Sequence, residues 1–202
     1  MTVKKIYVGG AVIEPSELDI QNPVQSYLLY NAVLNNDSSI VGEKEIGDPT
    51  ETALLYMYRG IKTGEGAFCD GDSLLEDDLR NHMERLEEVP FDSDRKRMST
   101  KYRLHGVSTV LTKGAPDVLL AHCESSMDES GIHELTEDEK QKIKDANREF
   151  SENGLRVLAF ASRETEEELT KETECHLTLL GLVAMMDPPR PESVEAVKNA
   201  IR

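Results

Sequence analysis

The sequence predicts an α+β domain in which an antiparallel β-sheet is flanked by helices, and three observations point to it. Residues 97–104 alternate, with Met98, Thr100, Tyr102 and Leu104 interleaved with Arg97, Ser99, Lys101 and Arg103, the period of a half-buried antiparallel strand. Leu155 to Ala161 and His176 to Met186 read as two more apolar strands, the second so nearly continuous that it belongs at the centre of the sheet. The helical patterns fall in segregated runs and do not alternate regularly with strands, which argues against a parallel βαβ architecture.

The elements follow in order. Thr2 to Val8 and Ala11 to Ile13 read as short strands parted by Gly9-Gly10, a turn-forming pair. Asn22-Pro23-Val24-Gln25 sets an N-cap, a proline at the first helical position and a glutamine at the third, opening a helix over 23–36 with Tyr27, Leu28, Tyr30, Ala32, Val33 and Leu34 as its apolar residues. Asp48-Pro49-Thr50-Glu51 repeats this grammar before Ala53, Leu54, Leu55, Met57 and Tyr58. A third, strongly charged surface helix is expected over 73–88, where Leu75, Leu79, Met83 and Leu86 recur at spacings of three and four. From Val89 the period becomes two; His105-Gly106 turns the chain and Val107 to Thr112 returns it. A short helix over Ala115 to Cys123 comes next. Thr136-Glu137-Asp138-Glu139 is a capping box whose helix Gly154 closes. Arg163 to Glu174, rich in charge and poor in apolar residues, reads as an exposed connection.

A chain of 202 residues can bury one good core, so a single globular domain is expected. The formal net charge of -16 argues against nucleic acid or an anionic membrane surface as partner. Cys69, Cys123 and Cys175 are odd in number and in no metal-ligand pattern, which fits reduced thiols in a reducing compartment, and His122 beside Cys123 has no further spaced ligand. No apolar run approaches the roughly 18 residues of a membrane span, and the start lacks a signal peptide, so the chain is expected to be soluble with no direct membrane contact.

Several residues carry binding chemistry. Phe91 could stack on a base, an interaction worth about 1 to 3 kcal/mol, or be an ordinary core residue. Arg95, Lys96, Arg97, Lys101 and Arg103 form a positive island suited to polyphosphate, or a solvated strand face. Strand parity puts Lys96 on the side of Met98 and Tyr102, making Lys96 the pocket candidate and Arg97 the solvent-facing one. Lys113 precedes Gly114, which lets backbone approach closely, and Pro116, which pre-sets a helix entry; the pattern can hold an ammonium over a ligand or leave a lysine at solvent. Arg156 and Leu158 share a strand face, one placed for phosphate and the other for a base. Glu51, three positions after Asp48, could cap its own helix or meet a ligand. The chain has no G-x-x-x-x-G-K-S/T loop, no G-x-G-x-x-G and no nucleophile elbow, so it offers binding and positioning, not bond breaking.

Taken in order, Gly47-Asp48-Pro49-Thr50-Glu51-Thr52-Ala53-Leu54, Phe91 to Ser99, Thr112-Lys113-Gly114-Ala115-Pro116-Asp117, Gly154 to Ala159 and Met186-Asp187-Pro188-Pro189-Arg190 closely resemble the ATP-binding (N) domain of type II P-type cation-transporting ATPases, the group containing the calcium pumps. The resemblance spans nearly the whole chain. It implies that Phe91 stacks on adenine, that Glu51 accepts from the adenine amino group, and that Lys96, Met98, Lys113, Gly114, Arg156 and Leu158 line the ATP site. It further implies a nucleotide-binding domain over 1–186, and over 187–202 a hinge, Asp187, Pro188, Pro189 and Arg190, with the first residues of the phosphorylation domain. The parent would then be a membrane pump with this piece on its cytoplasmic side, delivering ATP to the phosphorylation domain and working with the actuator domain, calcium being the expected ion. The family's Asp-Lys-Thr-Gly-Thr segment, whose aspartate takes the phosphoryl group, does not occur here, and Mg2+ would be bound outside these residues, so the chain alone is expected not to turn over. Ser93 stands where some animal calcium pumps have a phosphate-touching arginine, which points to a weak phosphate grip. Two rival readings are an acidic interaction module docking through the basic strand and a phosphohydrolase of the haloacid-dehalogenase type; the missing aspartate nucleophile argues against the second.

Overall fold

The computed structural model describes residues 1–61 and 76–187, apart from the side chain of Asp78. In chain order the elements are β1 (Thr2–Val8), β2 (Ala11–Ile13), α1 (Pro23–Leu34), β3 (Ser39–Val41), β4 (Lys44–Ile46), α2 (Pro49–Arg59), α3 (Glu76–His82), β5 (Glu84–Asp92), β6 (Arg97–Leu104), β7 (Val107–Gly114), α4 (Pro116–Ala121), β8 (Cys123–Asp128), β9 (Gly131–Glu134), α5 (Glu137–Glu152), β10 (Arg156–Glu164) and β11 (Leu177–Met186). The main sheet runs β2-β1-β11-β10-β7-β6-β5, with β8 on β11 and β9 on β8. Its ladders are antiparallel except the short parallel pairing of β8 with β11. This is the α+β, antiparallel architecture expected from the sequence.

The sheet has two dry faces, and the strand sequences show why. Along β10 and β11, Phe160, Leu180, Val183 and Met185 join the core under α1 and α2, while Ala159, Ala161, Leu177, Leu179, Leu182 and Ala184 join a second core under α4 and α5. A strand buried on both sides needs an unbroken apolar run, as Leu177–Met186 has. The helices begin where their caps dictate: Asn22 Oδ1 accepts from the Gln25 amide, Asp48 Oδ1 from the Thr50 amide, and Thr136 Oγ1 from the Glu139 amide. Among the described residues no helix is long and apolar enough to cross a membrane.

Two expectations need correction. The helix expected over 73–88 is a short helix, Glu76–His82, followed by the strand Glu84–Asp92, residues 73–75 lying outside the described set. The three-and-four spacing of Leu79, Met83 and Leu86 is satisfied only in part, because β5 gains a ladder along β6 from Glu84 opposite Arg103 to Asp92 opposite Arg97. Tertiary pairing outweighs the weak local preference. The connection after β10 is also not simply exposed: Leu169 packs with Val89 and Val110, and Glu174 is 1% exposed.

Helix α1 is fixed to the sheet by polar side chains as well as apolar ones. The Asn31 amide, fully buried, donates to the carbonyls of Thr112 on β7 and Ala161 on β10, each at 2.9 Å, beside the irregularity that β10 makes against β11 at Phe160 and Ala161. Asn35 Nδ2 donates to the Met98 carbonyl on β6 at 3.1 Å. Replacing Asn31 with alanine strips buried carbonyls of their donor, an expected loss of about 2 to 3 kcal/mol. Urea denaturation of the variant measures it, and a change below about 0.5 kcal/mol would show that the amide is dispensable.

Candidate functional site

The candidate residues gather at one end of the α1/α2 face of the sheet. Cross-strand register places Lys113 opposite Met98 on β6 and opposite Phe160 on β10, so all three share a face; Leu158 and Arg156 continue along that face toward the start of β10. Glu51 approaches from the first turn of α2. Its Oε1 receives a hydrogen bond from Lys113 Nζ at 3.0 Å, and its Oε2 one from the Asp37 amide at 2.8 Å. Glu51 therefore does not cap its own helix. That task belongs to Asp48.

Lys113 is only 6% exposed, and burial pulls its pKa below the ordinary lysine value of 10.5, with Glu51 the chief opposing influence. Gly114 follows because nothing larger fits: an added Cβ would lie 2.4 Å from the Lys96 carbonyl, which accepts the Ala115 amide at 3.0 Å. This close approach brings the turn between β5 and β6 against the end of β7.

Phe91 sits on that side. Val89 faces Ser99 and Asp92 faces Arg97, so Pro90 and Phe91 together oppose the single residue Met98 in a β-bulge. Of the described phenylalanines, Phe150 and Phe160 fill the cores, whereas Phe91 is 62% exposed. The core alternative for Phe91 is set aside. Met98 is 1% exposed and can serve a ligand only as floor; Leu158 is partly buried against the main core. Arg156 is exposed, its Nη1 3.5 Å from Thr50 Oγ1 at the head of α2. Asp187 is exposed just past β11; Pro188, Pro189 and Arg190 lie outside the described residues.

The basic strand differs from expectation. Lys96 is not in the strand but in the preceding turn, with left-handed φ of 56°, and is exposed. Arg97, expected at solvent, is turned inward: Nε lies 3.5 Å from Glu174, and Nη1 donates to His122 Nε2 at 2.9 Å. Burial and the neighbouring Arg97 both lower the His122 pKa, burial more, which keeps the imidazole neutral and able to accept. Arg95 pairs with Glu174, and Lys101 with Glu87 and the Glu167 carbonyl. Parity failed because residue 96 precedes the strand, and of the positive island Arg95, Arg97 and Lys101 have acidic partners within the fold while Lys96 and Arg103 stay exposed. Nothing local in the sequence marks Glu174, Asp37 or Thr50 as partners of these groups; each meets its cation or carboxylate only through the tertiary fold.

A cavity of about 650 Å3 lies elsewhere, against α4 and α5 with Leu120, Ile143, Lys144 and Arg148 in its lining. Cys123 also borders it, its thiol pushed up to about 12 by burial and so unreactive. Among the described residues no group of three or more His, Cys, Asp or Glu side chains is arranged to hold a metal ion. Cys69 lies outside the described residues. An exposed aromatic, two exposed cations and a buried ammonium-carboxylate pair lie together at this end of the sheet, groups whose chemistry suits a flat, anionic molecule.

An α+β sheet with this face at one end defines a class. The chain belongs to the P-type ATPase cytoplasmic domain N family, which matches residues 24–192. It is 38% identical over 199 residues to calcium-transporting ATPase 1 of Bacillus cereus, covering 98% of this chain and 21% of that protein. It is 39% identical over 186 residues to calcium-transporting ATPase 1 of Lactococcus lactis, covering 90% and 20%. Plasma membrane-type calcium-transporting ATPase 3 of Oryza sativa is 33% identical over 220 residues, covering 99% and 20%. The chain thus spans about a fifth of the length of the curated relatives it matches.

The buried pair generates a pH-dependent expectation. Glu51→Gln leaves the Lys113 ammonium buried without its counter-charge, an expected loss of about 2 to 4 kcal/mol at neutral pH. The unfolded chain keeps the lysine proton up to its ordinary pKa, while the folded variant releases it lower than the wild type does. Between the folded variant's pKa and the folded wild type's, the variant gains stability relative to wild type as pH rises, and above both the two gain together up to the ordinary lysine value. Denaturation at pH 7 and near pH 9.5 should show the gap narrowing. A gap that stays constant or widens would mean that Lys113 does not depend on the Glu51 charge.

Proposed function

We propose that this chain binds ATP on the face formed by Glu51, Phe91, Lys96, Met98, Lys113, Gly114, Arg156 and Leu158, and delivers it to the phosphorylation domain of a cation-transporting P-type ATPase. Calcium is the proposed ion, since the relatives above are named calcium-transporting ATPases. Residues 1–186 are the proposed nucleotide-binding unit; 187–202, beginning Asp187-Pro188-Pro189-Arg190, are the proposed hinge and first residues of the phosphorylation domain, with the actuator domain the other partner. Mg2+ belongs with the phosphorylated aspartate outside these residues.

The observation that carries this reading is the exposed Phe91 beside Met98, at the same end of the sheet as Lys113, Glu51 and Arg156. A purine needs a flat partner with nearby hydrogen-bonding groups, and a triphosphate needs cations at the rim. Docking of a partner through the basic strand is the weaker reading, because Arg95, Arg97 and Lys101 already have internal acceptors.

Titration of the chain with ATP, followed by NMR or calorimetry, should give a dissociation constant on the order of 0.1 to 1 mM, as one stack and a few screened charges supply about 4 to 6 kcal/mol. Phe91→Ala should weaken it about tenfold, and Arg103→Ala, an exposed strand residue outside the site, by less than about twofold. No response at about 5 mM nucleotide would sink the reading, and equal losses in the two variants would favour a diffuse basic surface.

Delivery is tested in the parent pump. Arg156→Ala should slow phosphoenzyme formation from ATP about tenfold or more while leaving phosphorylation by inorganic phosphate nearly unchanged, because the second route does not need nucleotide held here. Radiolabelled ATP and radiolabelled phosphate read the two routes. A parallel fall in both would remove Arg156 from the nucleotide site.

A further inference from the structure

Glu174 touches none of the site residues, yet its carboxylate is enclosed on the opposite face of the sheet from Lys113. Arg95 Nη2 stands 2.8 Å from its Oε1 and Arg97 Nε 3.5 Å from its Oε2, and the Ser99 hydroxyl donates to Oε2. Both arginine side chains are themselves 11% exposed, and Nε and Nη1 of Arg95 and Nε of Arg97 are buried without a hydrogen-bond partner, so the charge of the carboxylate is their principal compensation. Arg97 meets only a neutral imidazole on its other side.

Lys96 lies between these two arginines in the chain. Its left-handed backbone is disfavoured for a side chain of this size and persists only where the surroundings over-determine it. Here its amide donates to the Asp92 carbonyl at 2.7 Å and its carbonyl accepts from Ala115, while each flanking residue is tied to Glu174. An arginine cannot shed its proton to escape an unpaired buried site. Without the carboxylate the two guanidinia would have to leave, and the turn between them would go with them.

We propose that Glu174 is a positioning residue for the nucleotide site: it holds Arg95 and Arg97 on the far face of the sheet, and so fixes the turn that leaves Lys96, alone of three consecutive cations, facing the ligand. The inference rests on the nucleotide reading above and adds a residue that acts through Lys96 without touching ATP.

The test is a double-mutant cycle on the 202-residue chain, with ATP titrated against wild type, Glu174→Gln, Lys96→Ala and the double variant. Glu174→Gln is expected to weaken ATP binding about tenfold and to shift the amide resonances of Lys96 and Ala115. In its background Lys96→Ala should add less than about twofold, since the lysine is already misplaced. Losses that multiply would show that Glu174 acts on the fold in general, and unchanged affinity in Glu174→Gln would overturn the inference alone. Absence of ATP binding by wild type would overturn the nucleotide reading first and this inference with it. Should Glu174→Gln fail to fold, Arg95→Gln replaces it, leaving the carboxylate paired with Arg97; a fall of about threefold that vanishes when Lys96 is alanine supports the proposal, and no fall overturns it.

Discussion

Lys113 ends the third strand of a hydrogen-bonded hairpin series at 6% exposure, and its ammonium can stay charged there because a carboxylate from another layer stands 3.0 Å away. Much of the surrounding geometry follows from that contact. For Glu51 to reach Lys113, α2 must begin over the end of β7, and the chain before it must pass close by: the Asp37 amide donates to the same carboxylate, and an added Cβ on Gly47 would lie 2.8 Å from Ser38. The charge pair thus joins helix layer to sheet at the place where Arg156 also meets Thr50. An apolar pair could join the layers at least as strongly, since buried ion pairs seldom exceed their hydrophobic replacements in stability. What the ion pair adds is a dry cation and a dry acceptor beside an open aromatic.

The far face of the same strands shows the complementary arrangement. Arg95, Arg97, Ser99 and Lys101 project to the side where Glu174, Glu87 and the Glu167 carbonyl await them. That face of β6 pairs Arg97 and Lys101 internally and leaves Arg103 exposed, and the other carries Met98 beside Phe91 and Lys113 and packs Tyr102 and Leu104 into the main core. Alternation in a strand usually separates core from solvent. In β6 it separates a polar layer, where Arg95, Arg97 and Lys101 have acidic partners, from a core-facing side, so that of the cations in 95–103 Lys96 and Arg103 are the exposed ones.

Sequence reading reached the fold wherever the signal was local. The caps at Asn22, Asp48 and Thr136 open α1, α2 and α5, and the apolar run of β11 lies at the centre of the sheet as its composition requires. It failed where the deciding contact was distant. Residues 84–88 carry a helical spacing that only the ladder to β6 overrules, and Glu174, in a stretch with every mark of an exposed loop, is buried against Arg95 and Arg97, which lie far earlier in the chain. The position of Lys96 turned on a single residue: one step inside the strand it would share the face of Met98 by parity, but as the last residue of the turn its direction is set by a left-handed backbone. The candidate residues were nameable from motif and pattern, whereas the pairings that orient them were not.

The balance of charge at this face bears on how a delivery domain would work. Lys113 is already paired with Glu51, and Arg95 and Arg97 are turned to Glu174 on the far side of the sheet, so Lys96 and Arg156 are the exposed cations the face can offer an incoming triphosphate, and exposed charges each contribute about 1 kcal/mol or less. Stacking on Phe91 would then supply the largest single share. A site of that kind holds the base end of a nucleotide more firmly than its phosphate end, in a chain whose net charge of -16 repels phosphate at long range. In the proposed role this asymmetry is useful: a γ-phosphate gripped tightly here would have to be released before another domain could take it, whereas one left loosely screened can be handed over while the adenine stays in place.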